Sequence, residues 1–129
     1  MATVFDAAEK YLGIPYILGG DGETGMDCGL FTQMAFGDIG VTLNSRCADD
    51  QAAQMQDEEK FGEDISEAKP GDLVFFKNTY GDWPEGTITH VAIFAGDGKL
   101  LQACSSKGVA YTSDLEGYWM DFFAGIGKM

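Results

Sequence analysis

An α+β fold, with helices leading and an antiparallel sheet following, is what the order of patterns in this chain predicts. Three observations carry the prediction. Apolar residues recur at helical spacing near the start, over Thr3 to Leu12 and again from Cys28 to Phe36. From Leu73 onward the apolar runs are short and strand-like: "LVFF", "THVAIF", "KLLQAC" and "GVAYTS". The segment "AGDG" between two of those runs is a hairpin signal. Helices grouped before strands argue for α+β rather than for alternating βαβ units.

Taken in order, Val4, Ala7, Ala8, Tyr11 and Leu12 share one face of a first helix, which "GIP" ends because proline restricts the residue before it. "YILGGDGETGMD" reads as a glycine-rich loop, with Gly19 and Gly20 serving turns; no "GK[ST]" follows to suggest phosphate binding. The second helix runs from Cys28, with Leu30, Phe31, Met34 and Ala35 on one face and Gly37 as its stop. "RCADDQAAQMQ" is a short third helix capped near Ser45. "DEEKFGEDISEA" reads as an acidic, solvated connector. "KPGD" then turns into the first strand, "NTYGDWPEGTI" is a loop, and the tail "EGYWMDFFAGIG" packs back as a final strand. Trp83, Trp119, Phe122 and Phe123 are read as core or cleft wall.

A chain of 129 residues is the size of one domain, and residues 1–129 are read as a single unit. The net charge of −13 argues against nucleic acid and anionic lipid as partners, since both would be repelled. No basic segment followed by a long apolar one opens the chain, so the N-terminus does not read as a signal peptide. Three cysteines, Cys28, Cys47 and Cys104, are an odd count, which fits a reduced protein with a free thiol and leaves a Cys47–Cys104 bridge open. With one histidine, His90, and no Cys-x-x-Cys spacing, no zinc site is indicated, and no cofactor is expected.

Cys28 and His90 carry the chemistry. A thiolate is the reactive form of cysteine, and the unpaired N–H groups at a helix start favour that anion and a developing oxyanion. Gly29 leaves room for a substrate backbone on this reading. Asp27 opposes the thiolate by like charge, so a cation is required nearby. His90 is the sole imidazole available as base and acid. Alternation puts His90, Ala92 and Phe94 on one strand face and Val91 and Ile93 on the other. A three-residue loop Gly96–Gly98 with Gly98 left-handed pairs Ala95 with Lys99, sets Cys104 opposite His90, and brings Gln102 diagonally onto the histidine's face. Gln102 then orients the ring without adding charge.

The blocks "PYILGG", "GMDCGLFTQ", "AKPGDLVFF" and "ITHVAIFAGDGKLLQACSSKGV", in that order, resemble the NlpC-type family of papain-like cell-wall cysteine peptidases over Tyr11 to Tyr111. The resemblance implies a papain-like fold and cleavage of peptidoglycan stem peptides, commonly between γ-D-glutamate and a diamino acid. It implies Cys28 as nucleophile, His90 as general base and Gln102 in the third position, where the family more often has histidine. Tyr16 is expected beside the cysteine, helping to position the substrate or oxyanion, and Arg46 is a candidate contact for a substrate carboxylate. Gly29-Leu30 stand where the family usually has Ser-Gly. A non-catalytic wall-binding or phage structural module and an amidase or acyltransferase are the rival readings. The expected setting is synthesis in the cytoplasm, with action at the wall after lysis, phage delivery or specialised secretion. Oligomeric state stays open.

Overall fold

A computed structural model describes residues 3–17, 20, 22, 24–77, 88–96, 98–104, 108–112 and 122–129. Helix α1 spans Val4–Ala8 and runs into a 3₁₀ turn, Glu9–Tyr11, so the expected first helix forms but tightens over its second half. Thr3 starts it with a reciprocal cap: its hydroxyl accepts from Asp6 N–H, and the Asp6 carboxylate accepts from Thr3 N–H. Helix α2 is Cys28–Gly37 and helix α3 is Ala48–Asp57. Cys47 is the cap residue of α3, and Ser45 supports it by accepting from Cys47 N–H and donating to Asp50.

Six antiparallel strands follow: β1 Phe61–Gly62, β2 Leu73–Lys77, β3 Ile88–Gly96, β4 Lys99–Cys104, β5 Gly108–Thr112 and β6 Phe123–Gly127. Their order across the sheet is β1-β6-β2-β3-β4-β5. The expected tail strand therefore enters the sheet between β1 and β2. The acidic connector is not wholly solvated. Phe61, on β1, stacks on Phe75 with centroids 6.1 Å apart, and Ile65 packs under the sheet. Two apolar side chains in an acidic stretch suffice to draw it onto the fold.

The β3–β4 hairpin keeps the expected register in its body, Phe94 opposite Leu100 and Ile93 opposite Leu101. Its end differs. Gly96, not Ala95, pairs with Lys99, and the ladder slips between Phe94 and Gly96. A bulge absorbs the extra residue, with Gly96 at φ 89° and Gly98 left-handed at 72°.

Sheet alternation divides the core. Leu73, Phe75, Val91, Ile93, Leu101 and Val109 meet α1, α2 and α3 in the main core. Val74, Phe76, Ala92 and Leu100 form a second cluster on the other face, joined by Phe122 and Phe123. Trp83, Trp119, Gly19 and residues 78–87, where the sequence predicts a loop, lie outside the described residues, as does the side chain of Cys104.

The β5 end of the sheet is continued by the segment after α1. Gly13 N–H donates to the Val109 carbonyl, and Val109 N–H donates to the Ile14 carbonyl. Gly108 permits this approach. Its φ is +69°, and a Cβ there would stand 2.3 Å from the Ile14 oxygen.

Candidate active site

The site assembles where α2 abuts β3. Asp27 is the N-cap of α2, its Oδ1 accepting from Leu30 N–H at 2.9 Å, which makes Cys28 the first helical residue. The thiol is buried, at 6% exposure. The N–H groups of Val91, Gly29 and Cys28 point at the sulfur. Val91 follows His90 in β3, so the sulfur lies at the strand that carries the imidazole.

Burial dominates the electrostatics of this thiol. It pushes the Cys28 pKa up to about 12, the Asp27 charge adds to the rise, and the three N–H groups only partly offset it. The N–H groups at the helix start favour the thiolate, as the sequence leads one to expect, but burial outweighs them, because the same packing that aligns those groups also excludes water. The cation that Asp27 calls for is present. Arg46 Nη2 sits 3.1 Å from Asp27 Oδ2, so the guanidinium is held on the residue that precedes Cys28 while its side chain stays about one-third exposed.

His90 is equally buried. Burial lowers its pKa to about 4, against a smaller upward pull from Gln102. Nε2–H donates to Gln102 Oε1, and the ring leans on Phe76 with centroids 5.8 Å apart. The expected sharing of a face by His90 and Gln102 is therefore observed. The Gln102 amide is oriented in turn by Thr112, whose Oγ1 accepts from Nε2 at 2.8 Å. This chain of bonds fixes the Nε2–H tautomer and puts the lone pair of the neutral ring on Nδ1. The β3–β4 pairing ends at Ile93 and Leu101 among the described residues, whereas β4 stays paired with β5 as far as Cys104 and Gly108. The Gln102 side chain thus crosses a stretch where β3 and β4 are not laddered.

Tyr16, expected beside the cysteine, is joined through its backbone to the segment that precedes it. It forms a parallel bridge with Met26, two residues before Cys28, flanked by Met26 N–H to the Pro15 carbonyl and Ile17 N–H to the Met26 carbonyl. Gly29 has a different job from the one expected. A Cβ there would fall 1.8 Å from the Arg46 carbonyl oxygen, so the space is filled by the chain leading into α3 and not kept for substrate. Cys47 is a free, exposed thiol, so it forms no bridge to Cys104.

Two supports escaped sequence reasoning. Gln51 is fully buried: its Nε2 donates to the carbonyls of Gly29 and Ser45, and its Oε1 accepts from the Thr32 hydroxyl at 2.8 Å. The spacing of Ala48, Gln51, Ala52 and Met55 marks one helix face, and a polar residue on that face was the available signal. Thr112 was also readable, since alternation in "GVAYT" sets Ala110 and Thr112 on one face.

Comparison with known proteins places these residues in context. Residues 13–128 match the NlpC/P60 family. The chain is 39% identical to the bifunctional muramidase/DL-endopeptidase CwlT of Bacillus subtilis, over 98% of this chain and 36% of that protein. It is 37% identical to the γ-DL-glutamyl hydrolase of the same bacterium, over 97% of this chain and 28% of that one. It therefore spans only a minor part of either relative. The crystal structure of a Staphylococcus aureus protein of the NLP/P60 family, similar to lipoprotein, superposes with a TM-score of 0.78 at 32% identity, covering 98% of this chain and 40% of that one.

Proposed function

The chain belongs to the NlpC/P60 family, and from that premise we propose that it is a cysteine endopeptidase acting on peptidoglycan stem peptides at the bond between γ-D-glutamate and a diamino acid. The names of its relatives, a DL-endopeptidase and a γ-DL-glutamyl hydrolase, support the bond type. The hydrogen-bond chain from Thr112 through Gln102 to His90, beside a helix-borne thiol, is the observation that carries the reading.

In this reading Cys28 gives its proton to His90 Nδ1 as the sulfur attacks the carbonyl carbon. A neutral imidazole is the form required to accept it, and the low His90 pKa supplies that form at neutral pH. The oxyanion is held at the start of α2 by the N–H groups of Cys28 and Gly29, which face the sulfur and are not taken up by the cap, that of Leu30 being used by Asp27. The C–N bond breaks as the imidazolium protonates the leaving amine. His90 then takes a proton from water, whose oxygen attacks the thioester and releases the acyl product with regeneration of the thiol. Gln102 holds the ring and stabilises its cation by a dipole, less strongly than a carboxylate would.

Mass spectrometry of purified muropeptides tests the proposal. The wild type is expected to release a fragment ending in γ-D-glutamate, and Cys28→Ala and His90→Ala to release none. Cleavage by Cys28→Ala, or at a different bond, overturns it. The burial of both groups favours the rival reading of a wall-binding module, and alkylation separates the two. Iodoacetamide should label Cys28 at least tenfold faster in the wild type than in His90→Ala, whereas equal slow rates favour the module.

A further inference from the structure

Backbone carbonyls crowd the junction between α2 and the chain that enters α3. A Cβ on Gly29 would stand 1.8 Å from the Arg46 oxygen, so the two main chains are already in contact there. The carbonyls of Gly29 and Ser45 converge on one atom, each accepting from Gln51 Nε2 at 2.9 Å. A carbonyl oxygen can only accept, so neighbouring carbonyls repel one another and each buried one needs a donor. A primary amide offers two protons on one uncharged nitrogen, which is what two converging carbonyls require. Its remaining polar atom is met as well, the Thr32 hydroxyl donating to Oε1 at 2.8 Å. Gln51 is fully buried, so water cannot replace any of these bonds. Because both carbonyls are pure acceptors, turning the amide over would set oxygen against oxygen, and its orientation is fixed.

The residues tied together in this way matter for the chemistry. Gly29 directly follows Cys28, and Ser45 directly precedes Arg46. One nitrogen thus joins the turn that bears the thiol to the loop whose guanidinium pairs with Asp27. On its other side the same turn meets β3, where Val91 N–H faces the sulfur together with those of Cys28 and Gly29. We infer that Gln51 is a positioning residue for the nucleophile: its amide fixes the first turn of α2 against the Ser45–Arg46 main chain and so keeps the Cys28 sulfur aligned with the N–H groups that face it. Gln51 acts through the backbone and touches no reacting atom. The inference takes Cys28 as the nucleophile and in that respect rests on the endopeptidase reading above.

Gln51→Met tests it, keeping the length of the side chain and removing both donors. Ala53→Gly is the control, because it weakens α3 at an exposed position outside the hydrogen-bonded set. Both are assayed under conditions where urea titration shows them folded. Gln51→Met is expected to lower kcat on a muropeptide roughly ten- to a hundredfold, with KM within about twofold of the wild type. Iodoacetamide labelling of Cys28, which needs no substrate, should slow about threefold or more at pH 7. Ala53→Gly should change neither. Should Gln51→Met not fold, Thr32→Val, which removes only the hydroxyl that holds Oε1, is judged by the same measurements and should move them the same way by less. Unchanged or faster labelling, or a rise in KM with kcat intact, while the wild type cleaves its peptide, overturns the positioning role alone. Slowed labelling with no hydrolysis by the wild type overturns the endopeptidase reading and keeps the positioning role. Unchanged labelling with no hydrolysis overturns both.

Discussion

Asp27 does two things that pull in opposite directions. Its Oδ1 caps α2 and so defines the helix start on which Cys28 sits, while its charge raises the thiol pKa. Arg46 pairs with Asp27 at 3.1 Å on Oδ2, the oxygen the cap does not use. Removing the guanidinium should leave the cap intact and expose the thiol to an uncompensated carboxylate. Arg46→Met is therefore expected to slow iodoacetamide labelling of Cys28 several-fold at pH 7 and to move the midpoint of the rate–pH profile upward. Asp27→Asn, which retains a capping oxygen, should move the midpoint downward. A profile unchanged in both variants would show that the ion pair does not tune the thiol. The need for a cation was readable from the "DC" dipeptide. Its identity was not, because the partner comes from a loop 19 residues away in sequence.

At the scale of elements, the junction of α2 with the chain entering α3 sets the position of the nucleophile. Gly29 lies against the Arg46 carbonyl, while Gln51 and Thr32 close the remaining polar groups. Gly29→Ala cannot be absorbed by a side-chain rotation, because the obstructing atom is backbone. We expect a loss of about 1–3 kcal/mol in urea unfolding, the usual cost of overpacking, and a fall in Cys28 reactivity as α2 is displaced from Val91. Stability within about 0.5 kcal/mol of the wild type would mean that the junction yields easily. Elements themselves were legible where a single local rule governs them. The period of α2, its stop at Gly37, and the alternation of β3 and β4 all follow from neighbours in sequence. The slip at Gly96 and the recruitment of Phe61 to β1 were not legible, since each depends on what the strand pairs with.

For the molecule as a whole, the buried imidazole links stability to acidity. The ordinary histidine pKa of 6.5 falls to about 4 in the fold. Between those values the unfolded chain takes up a proton that the folded chain refuses. His90's contribution is thus fully present above pH 6.5, is lost as pH falls toward 4, and is constant below that. The expected loss is roughly 3 kcal/mol, superimposed on whatever the carboxylates contribute. Urea unfolding of the wild type and His90→Gln at pH 7 and pH 4.5 isolates it. The difference between the two proteins should shrink or reverse at the lower pH, whereas parallel losses would show that the ring is solvated.

The chain alone determined that helices precede an antiparallel sheet, that Cys28 opens a helix, and that Gln102 shares a face with His90. Each is a matter of periodicity or register over a few residues, which the backbone imposes locally. Only tertiary packing decided the protonation preferences of the thiol and imidazole, the pairing of Arg46 with Asp27, and the filling of the space at Gly29. Those depend on how much water is excluded and on which distant segment arrives, and burial is a property of the assembled fold, not of any stretch of sequence.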